Sequence, residues 1–264
     1  MAKLDSAFPF RGSLGDVSGY KRNDSPQHFL RYKGGPNDDQ IKNSPSCARV
    51  RENNSEFKGV AASVKQIRLS ILSVLEVADS LVTSRFTKSC KAFQLGDNTN
   101  PRGQRSILFS KFGNWMSDFE LNKNVALNSV IKISEFTIHK SSSSARIVIP
   151  ALVPGVNFSN PWKQPKYRIM ASLSALPDMI FSEMGYVPAN QTINFDRTRT
   201  SYATDFLGSN LVFDGVTIDL QLNDIVLDDS TNLILAVGVQ FANEQPSGTV
   251  PVKRAACGKI LSIG

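Results

Sequence analysis

Two stretches near the C-terminus alternate so strictly that they leave the backbone little choice. In residues 216–222, Val216, Ile218, Leu220 and Leu222 interleave with Thr217, Asp219 and Gln221. In residues 233–241, Leu233, Leu235, Val237, Val239 and Phe241 recur at every second position. A period of two fits a pleated strand, whose successive side chains point to opposite faces. Such strands are expected to bury one face and leave the other polar or small. Less regular runs of the same kind cover residues 119–127, 131–138, 145–152, 167–176, 179–186, 200–207 and 257–263. Turn formers separate them: residues 140–144, Pro154-Gly155, Asp228-Asp229 and residues 245–248. Short strands in series, with no helical pattern between them, predict antiparallel pairing.

The chain upstream of residue 117 reads differently. In residues 51–116 the period is helical: Val60, Val64, Ile67, Ile71, Val74, Ala78 and Leu81 recur at spacings of three and four, with Leu72 and Leu75 widening the stripe. Asn53, Asn54 and Ser55 offer N-cap oxygens, and Glu56 would add negative charge to a first turn. Residues 85–95 predict a second helix presenting Phe86, Cys90 and Phe93, with Gly96 at its end. Asn100-Pro101 reads as a third helix start. Residues 1–50 mix five glycines and four prolines with Phe8, Phe10, Tyr20, Phe29 and Tyr32. Such punctuation suits an extended arm, with a hairpin across residues 17–32 turning near Asn23-Asp24. Aromatic rings on an arm without a core must be buried elsewhere, on the rest of the chain or on a neighbouring copy. The expected organisation is therefore α+β: an extended arm (1–50), a helical segment (51–116) and an antiparallel β-sandwich (117–264), immunoglobulin-like or jelly-roll-like.

Charge is uneven. Residues 1–115 hold 18 Lys and Arg against 10 Asp and Glu, and residues 116–264 hold 12 against 13. A basic N-terminal part beside a neutral remainder points to an anionic partner, either nucleic acid or acidic surface on another copy. Lys21, Arg22, Arg31, Lys33, Arg49 and Arg51 lie among Tyr20, Phe29, Tyr32 and Phe57, a mixture able to grip single strands by charge and stacking. Three cysteines, Cys47, Cys90 and Cys257, cannot all pair within one chain and suit reduced thiols. With no apolar run of signal-peptide or membrane-span type, the expected location is the cytoplasm, without a membrane partner.

Catalytic and metal-binding patterns are not found. His28 and His139 have no Cys, Asp or Glu at zinc-ligand spacing and read as exposed or turn histidines. No G-x-S-x-G elbow occurs. Gly12, Gly15 and Gly19 lack the Rossmann order and read as turn formers. Asp219, Asp224, Asp228 and Asp229 lack the glycine and closing Glu of a calcium loop. We therefore expect no enzyme activity, no cofactor and no metal.

Three phrases carry a resemblance: F-R-G-S-L-G-D-V-S-G-Y-K (residues 10–21), R-V-R-E-N-N-S-E-F (49–57) and D-N-T-N-P-R-G (97–103). In their order they resemble a group of uncharacterised Bacteroidota proteins. The resemblance brings no catalytic residues with it; it implies an abundant structural product or a component of a phage-like element. The reading is a self-assembling protein whose arm docks on neighbouring copies to build a fibril, tube or shell. A nucleic-acid-associated coat or packaging role ranks second. A carbohydrate-binding sandwich using Trp115 or Trp162 ranks third.

Overall fold

A computed structural model describes residues 2–4, 10–21, 27–193, 198–223 and 225–264. The chain divides into two compact units, Met1–Arg51 and Glu52–Gly264.

The first unit is not an extended arm. Strands β1 (Ala2–Leu4), β2 (Gly12–Leu14), β3 (Val17–Lys21) and β4 (His28–Tyr32) form an antiparallel sheet in the order β1-β4-β3-β2. The expected hairpin across residues 17–32 is present, pairing Val17 with Tyr32 and Lys21 with His28; its turn at Asn23-Asp24 lies outside the described residues. Of the glycines that suggested an arm, Gly12 and Gly19 lie within strands, Gly15 in the turn between β2 and β3, and Gly34 and Gly35 in the loop after β4; Pro9 and Pro26 lie outside the described residues. Gly15 turns the chain from β2 into β3 at φ 54°, where a Cβ would be strained. Gly19 lets the Phe10 ring lie on the sheet, since a Cβ there would meet the Phe10 carbonyl oxygen at 2.6 Å. Helix α1 (Asp38–Asn43) follows, closed by a capping box between Asn37 and Gln40.

Helix α2 (Ala48–Ser70) begins earlier than its N-cap candidates predicted. Asn53, Asn54, Ser55 and Glu56 therefore lie inside it. The apolar stripe holds through Val60, Val64, Ile67, Ile71 and Val74, all buried, but the helix does not. It ends at Ser70 and passes through a 3-10 turn (Leu75–Val77), leaving Leu72 and Leu81 exposed. Helix α3 (Val82–Leu95) buries Val82, Phe86, Cys90 and Phe93, and Gly96 caps it as expected. Asn100-Pro101 starts no helix; its residues belong to a loop, and the next helix is the single turn α4 (Phe109–Phe112).

The second unit is built on a six-stranded antiparallel sheet. Its strands are β5 (Phe119–Glu120), β8 (Lys166–Pro177), β11 (Arg199–Ala203), β12 (Leu207–Gly208), β14 (Thr231–Gln245) and β15 (Gly248–Ile263). Their order is β11-β8-β14-β15-β5, with β12 also on β8. Strands β6 (Glu135–His139), β7 (Ser144–Ile149) and β13 (Val216–Gln221) form a three-stranded sheet in the order β13-β7-β6, and β9 (Met179–Ser182) with β10 (Gly185–Pro188) makes a hairpin. The strand expected over 119–127 shrinks to two residues. Beyond them the chain is held instead by Asn122, which donates to the Ala256 carbonyl, and by Asp79, which accepts from the Lys123 N–H.

Residues 233–241 alternate as read, but both faces of the central sheet are buried. Leu233, Leu235, Val237, Val239 and Phe241 join Ile147, Ile149, Ile218 and Leu220 of the three-stranded sheet in one core. Ile234 and Ala236 face Val60, Ile67, Phe86 and Phe93 of the helices in another. The unit thus has three layers: helices, central sheet, outer sheet. Gly238 and Gly258, cross-strand partners, explain how the 3-10 turn reaches the sheet. A Cβ on Gly238 would stand 2.9 Å from Val74, and one on Gly258 would collide with Val77. The small residues expected on the second face leave the space into which those valines pack.

Candidate functional site

Two of the three phrases singled out in the sequence meet in the second unit. Residues 52–56 lie on α2 and residues 97–105 form the loop after α3. Ser55 Oγ donates to the Gly103 carbonyl at 2.6 Å, and Arg102 Nη2 donates to Asn53 Oδ1 at 2.8 Å. Arg102 also pairs with Glu52 at 3.4 Å. Gly103, at φ 93°, directs its N–H to Glu56 Oε1 at 3.0 Å. Its open Cα face takes the Glu52 side chain, whose Cγ would lie 3.1 Å from a Cβ.

Glu56 is only 2% exposed. Its second oxygen accepts from Lys91 Nζ at 2.6 Å, and Arg105 stands 3.8 Å from the first. Burial by itself would raise this carboxyl; the Lys91 and Gly103 hydrogen bonds and the charges of Lys91 and Arg105 outweigh it and hold it below its ordinary range. Gln94 Nε2 donates to the carbonyls of Glu56 and Arg105 and reaches Tyr186 Oη at 3.3 Å. Tyr186, from β10, donates to the Arg105 carbonyl, and its ring fills the space that Gly59 leaves open. Burial, with Glu56 nearby, pushes the Tyr186 phenol up to about 12. Asp97 accepts from the hydroxyl and N–H of Thr99, the Asn100 amide and the Ser106 N–H. Those bonds overcome burial and hold its carboxyl far below the usual range.

Both Glu56 oxygens are engaged, so the cluster is a clasp and not a poised acid or base. It joins α2, α3, the 97–105 loop and the β9–β10 hairpin. Sequence reading treated Glu56 as a first-turn charge and passed over Lys91, Gln94 and Tyr186. The buried partners come from segments far apart in sequence, so no local spacing announces them. Asp97 was quoted only within its phrase, and the D-N-T-N order is the one local signal of its turn.

The other predicted residues scatter. Phe8 and Arg22 lie outside the described residues, as does Asp224. Tyr20 and Phe29 stack across β3 and β4 with centroids 5.9 Å apart, and Arg31 covers the Tyr20 ring. Phe10 is half-buried, whereas Tyr32 is 80% exposed. Most of these rings thus find contacts within the first unit's own sheet. Lys21 and Lys33 are exposed. Arg51 is spent internally, donating to the Ile41 and Ser44 carbonyls at 2.9 and 2.8 Å. Arg49 also has an interaction partner. His28 is a half-buried strand residue, not an exposed turn histidine; His139 is exposed at the end of β6.

The acidic residues separate too. Asp219 pairs with Arg146 at 2.6 Å, and Asp228 accepts from Ser230 and Thr231 in a turn. No cluster of three metal-ligating groups occurs among the described residues. All three cysteines are buried and unpaired; burial pushes the Cys90 thiol up to about 12. Trp162 does not form an exposed platform, because it packs on Phe241 at 5.1 Å. Trp115 is exposed, lying against Phe93 and Phe112. No helix among the described residues is long and apolar enough to cross a membrane.

The outer sheet offers an open polar face. Glu135, Thr137 and His139 of β6 run beside Val148, Arg146 and Ser144 of β7, and then Thr217, Asp219 and Gln221 of β13. These residues line one shallow concavity. Strands β6 and β13 are the two edges of that sheet. Comparison with protein-family models, curated proteins and solved structures found no match to this chain.

Proposed function

We propose that this chain is a structural protein whose copies join into a homopolymer through the open edges of its sheets. The observation that carries this reading is that both units end their sheets on edge strands: β6 in the second unit, β1 and β2 in the first. An edge strand presents unpaired backbone donors and acceptors and is a template for another chain. Leu14 on β2 and Tyr32 on β4 add exposed apolar side chains to the first unit. Docking on a neighbour then falls to a folded N-terminal sheet instead of a loose arm, with Lys21 and Lys33 facing acidic residues such as Asp229. On this reading the outer and central sheets, packed face to face over one core, would form the rigid building block of the polymer.

Sedimentation velocity and negative-stain microscopy of the full chain test the proposal. Particles larger than one copy, growing with concentration, are the expected result. A single-copy species at every concentration overturns it. Nucleic acid that co-purifies and leaves at high salt would instead favour the packaging role.

A further inference from the structure

The edge strand β6 has a sequence complementary to itself. Its five residues are Glu135, Phe136, Thr137, Ile138 and His139. If two copies pair antiparallel about Thr137, Glu135 stands opposite the second copy's His139, and Phe136 opposite the second copy's Ile138. The faces agree as well. Phe136 and Ile138 pair with Ile147 and Ala145 of β7 and so lie on the core side, while Glu135, Thr137 and His139 lie on the outer face. Every apolar side chain thus meets an apolar one, and each carboxylate meets an imidazole. Opposite pairs of this kind stabilise a ladder, and like charges opposite one another weaken it.

Two further features suit this pairing. Phe136 is on the core side yet 39% exposed, at the margin where a second copy would extend the core. Strand β6 also lacks three of the devices that blunt an edge: it contains no proline, no lysine and no bulge in its pairing with β7.

We propose that β6 pairs with β6 of a second copy about a two-fold axis through Thr137. The two outer sheets then become one continuous sheet in the order β13-β7-β6-β6-β7-β13. The inference rests on the self-association reading above and specifies one of its contacts. A two-fold contact closes on itself, so a polymer needs a second contact, for which the first unit's sheet edges are available.

Charge exchange in the full-length chain tests it. His139→Glu sets two carboxylates opposite one another twice per dimer and should weaken the dimer roughly ten-fold. Glu135→Lys combined with His139→Glu sets a lysine opposite each glutamate and should restore it. Thr137→Cys supplies the second arm. Directly opposed residues have Cα atoms about 4.5 or 5.5 Å apart, and both spacings allow a disulfide. With oxidised glutathione as oxidant, the two introduced thiols should join in a covalent dimer and release two reduced glutathiones, while the buried native thiols should not react. Wild-type self-association that neither exchange alters, together with a Thr137→Cys variant that forms no cross-link, overturns the β6 contact and leaves the wider reading standing. A wild-type chain that never self-associates overturns both.

Discussion

The N-terminal sheet and the central sheet of the larger unit have the same antiparallel pairing but are held by different forces. In β14, twelve consecutive residues from Thr231 to Ala242 are buried, because helices cover one face and the outer sheet the other. In the first unit, Gly19 and Cys47 are the only buried residues among those described. The central sheet is stabilised chiefly by apolar area removed from water, at roughly 25 cal/mol per Å². The N-terminal sheet relies on its hydrogen-bond ladder and the Tyr20–Phe29 stack. Equal strand pairing therefore does not mean equal stability, and the two units should answer to different perturbations.

The largest contrast comes from truncating a core ring. Phe241 is fully buried among Phe158, Trp162 and Tyr167. Phe241→Ala should cost about 3–5 kcal/mol in urea unfolding followed by far-ultraviolet circular dichroism. A loss below about 1 kcal/mol would mean that the central sheet is not held by its packing.

Acid should separate the units next. The folded state holds the Glu56 and Asp97 carboxyls below their unfolded values of about 4.3 and 3.9. Their stabilisation is complete above those values and is lost as pH falls through the folded ones. Asp178 runs the other way, since burial raises its carboxyl despite bonds from Ser110. The urea midpoint of the larger unit should decline steadily below about pH 4, and Asp97→Asn should flatten that decline while lowering the midpoint at neutral pH. An unchanged slope in the variant would show that Asp97 contributes nothing to the acid response.

The smallest effect belongs to the N-terminal sheet. Tyr20→Ala removes one side of a partly exposed stack and should cost about 0.5–1.5 kcal/mol. Amide exchange should reveal the loss in β3 and β4, with protection in β14 unchanged. Faster exchange spreading into β14 would show that the units unfold together and would erase the distinction.

The strand positions were readable wherever polar and apolar residues alternate, and α3 was readable from Phe86, Cys90, Phe93 and Gly96. The helical stripe identified Val60, Val64, Ile67, Ile71 and Val74 as core but also included the exposed Leu72 and Leu81, and it hid the break after Ser70, where Val74 and Val77 pack onto glycines 238 and 258 far along the chain. The N-terminal sheet was misread as an arm, since glycine is equally at home in the strands and turns of a small sheet, as Gly12, Gly15 and Gly19 are here. Of the polar clasp, the two phrases that form it were visible, while their meeting was not.

The sequence by itself determined local conformation: a period of two makes strands, a period near three and a half makes helix, and glycine and asparagine place the turns. Tertiary structure alone decided that the central sheet is covered on both faces, that Glu56 is buried beside Lys91, and that β6 is left at an edge. Local sterics act over a few neighbouring residues, whereas burial and ion pairing depend on which distant segments arrive at the same place.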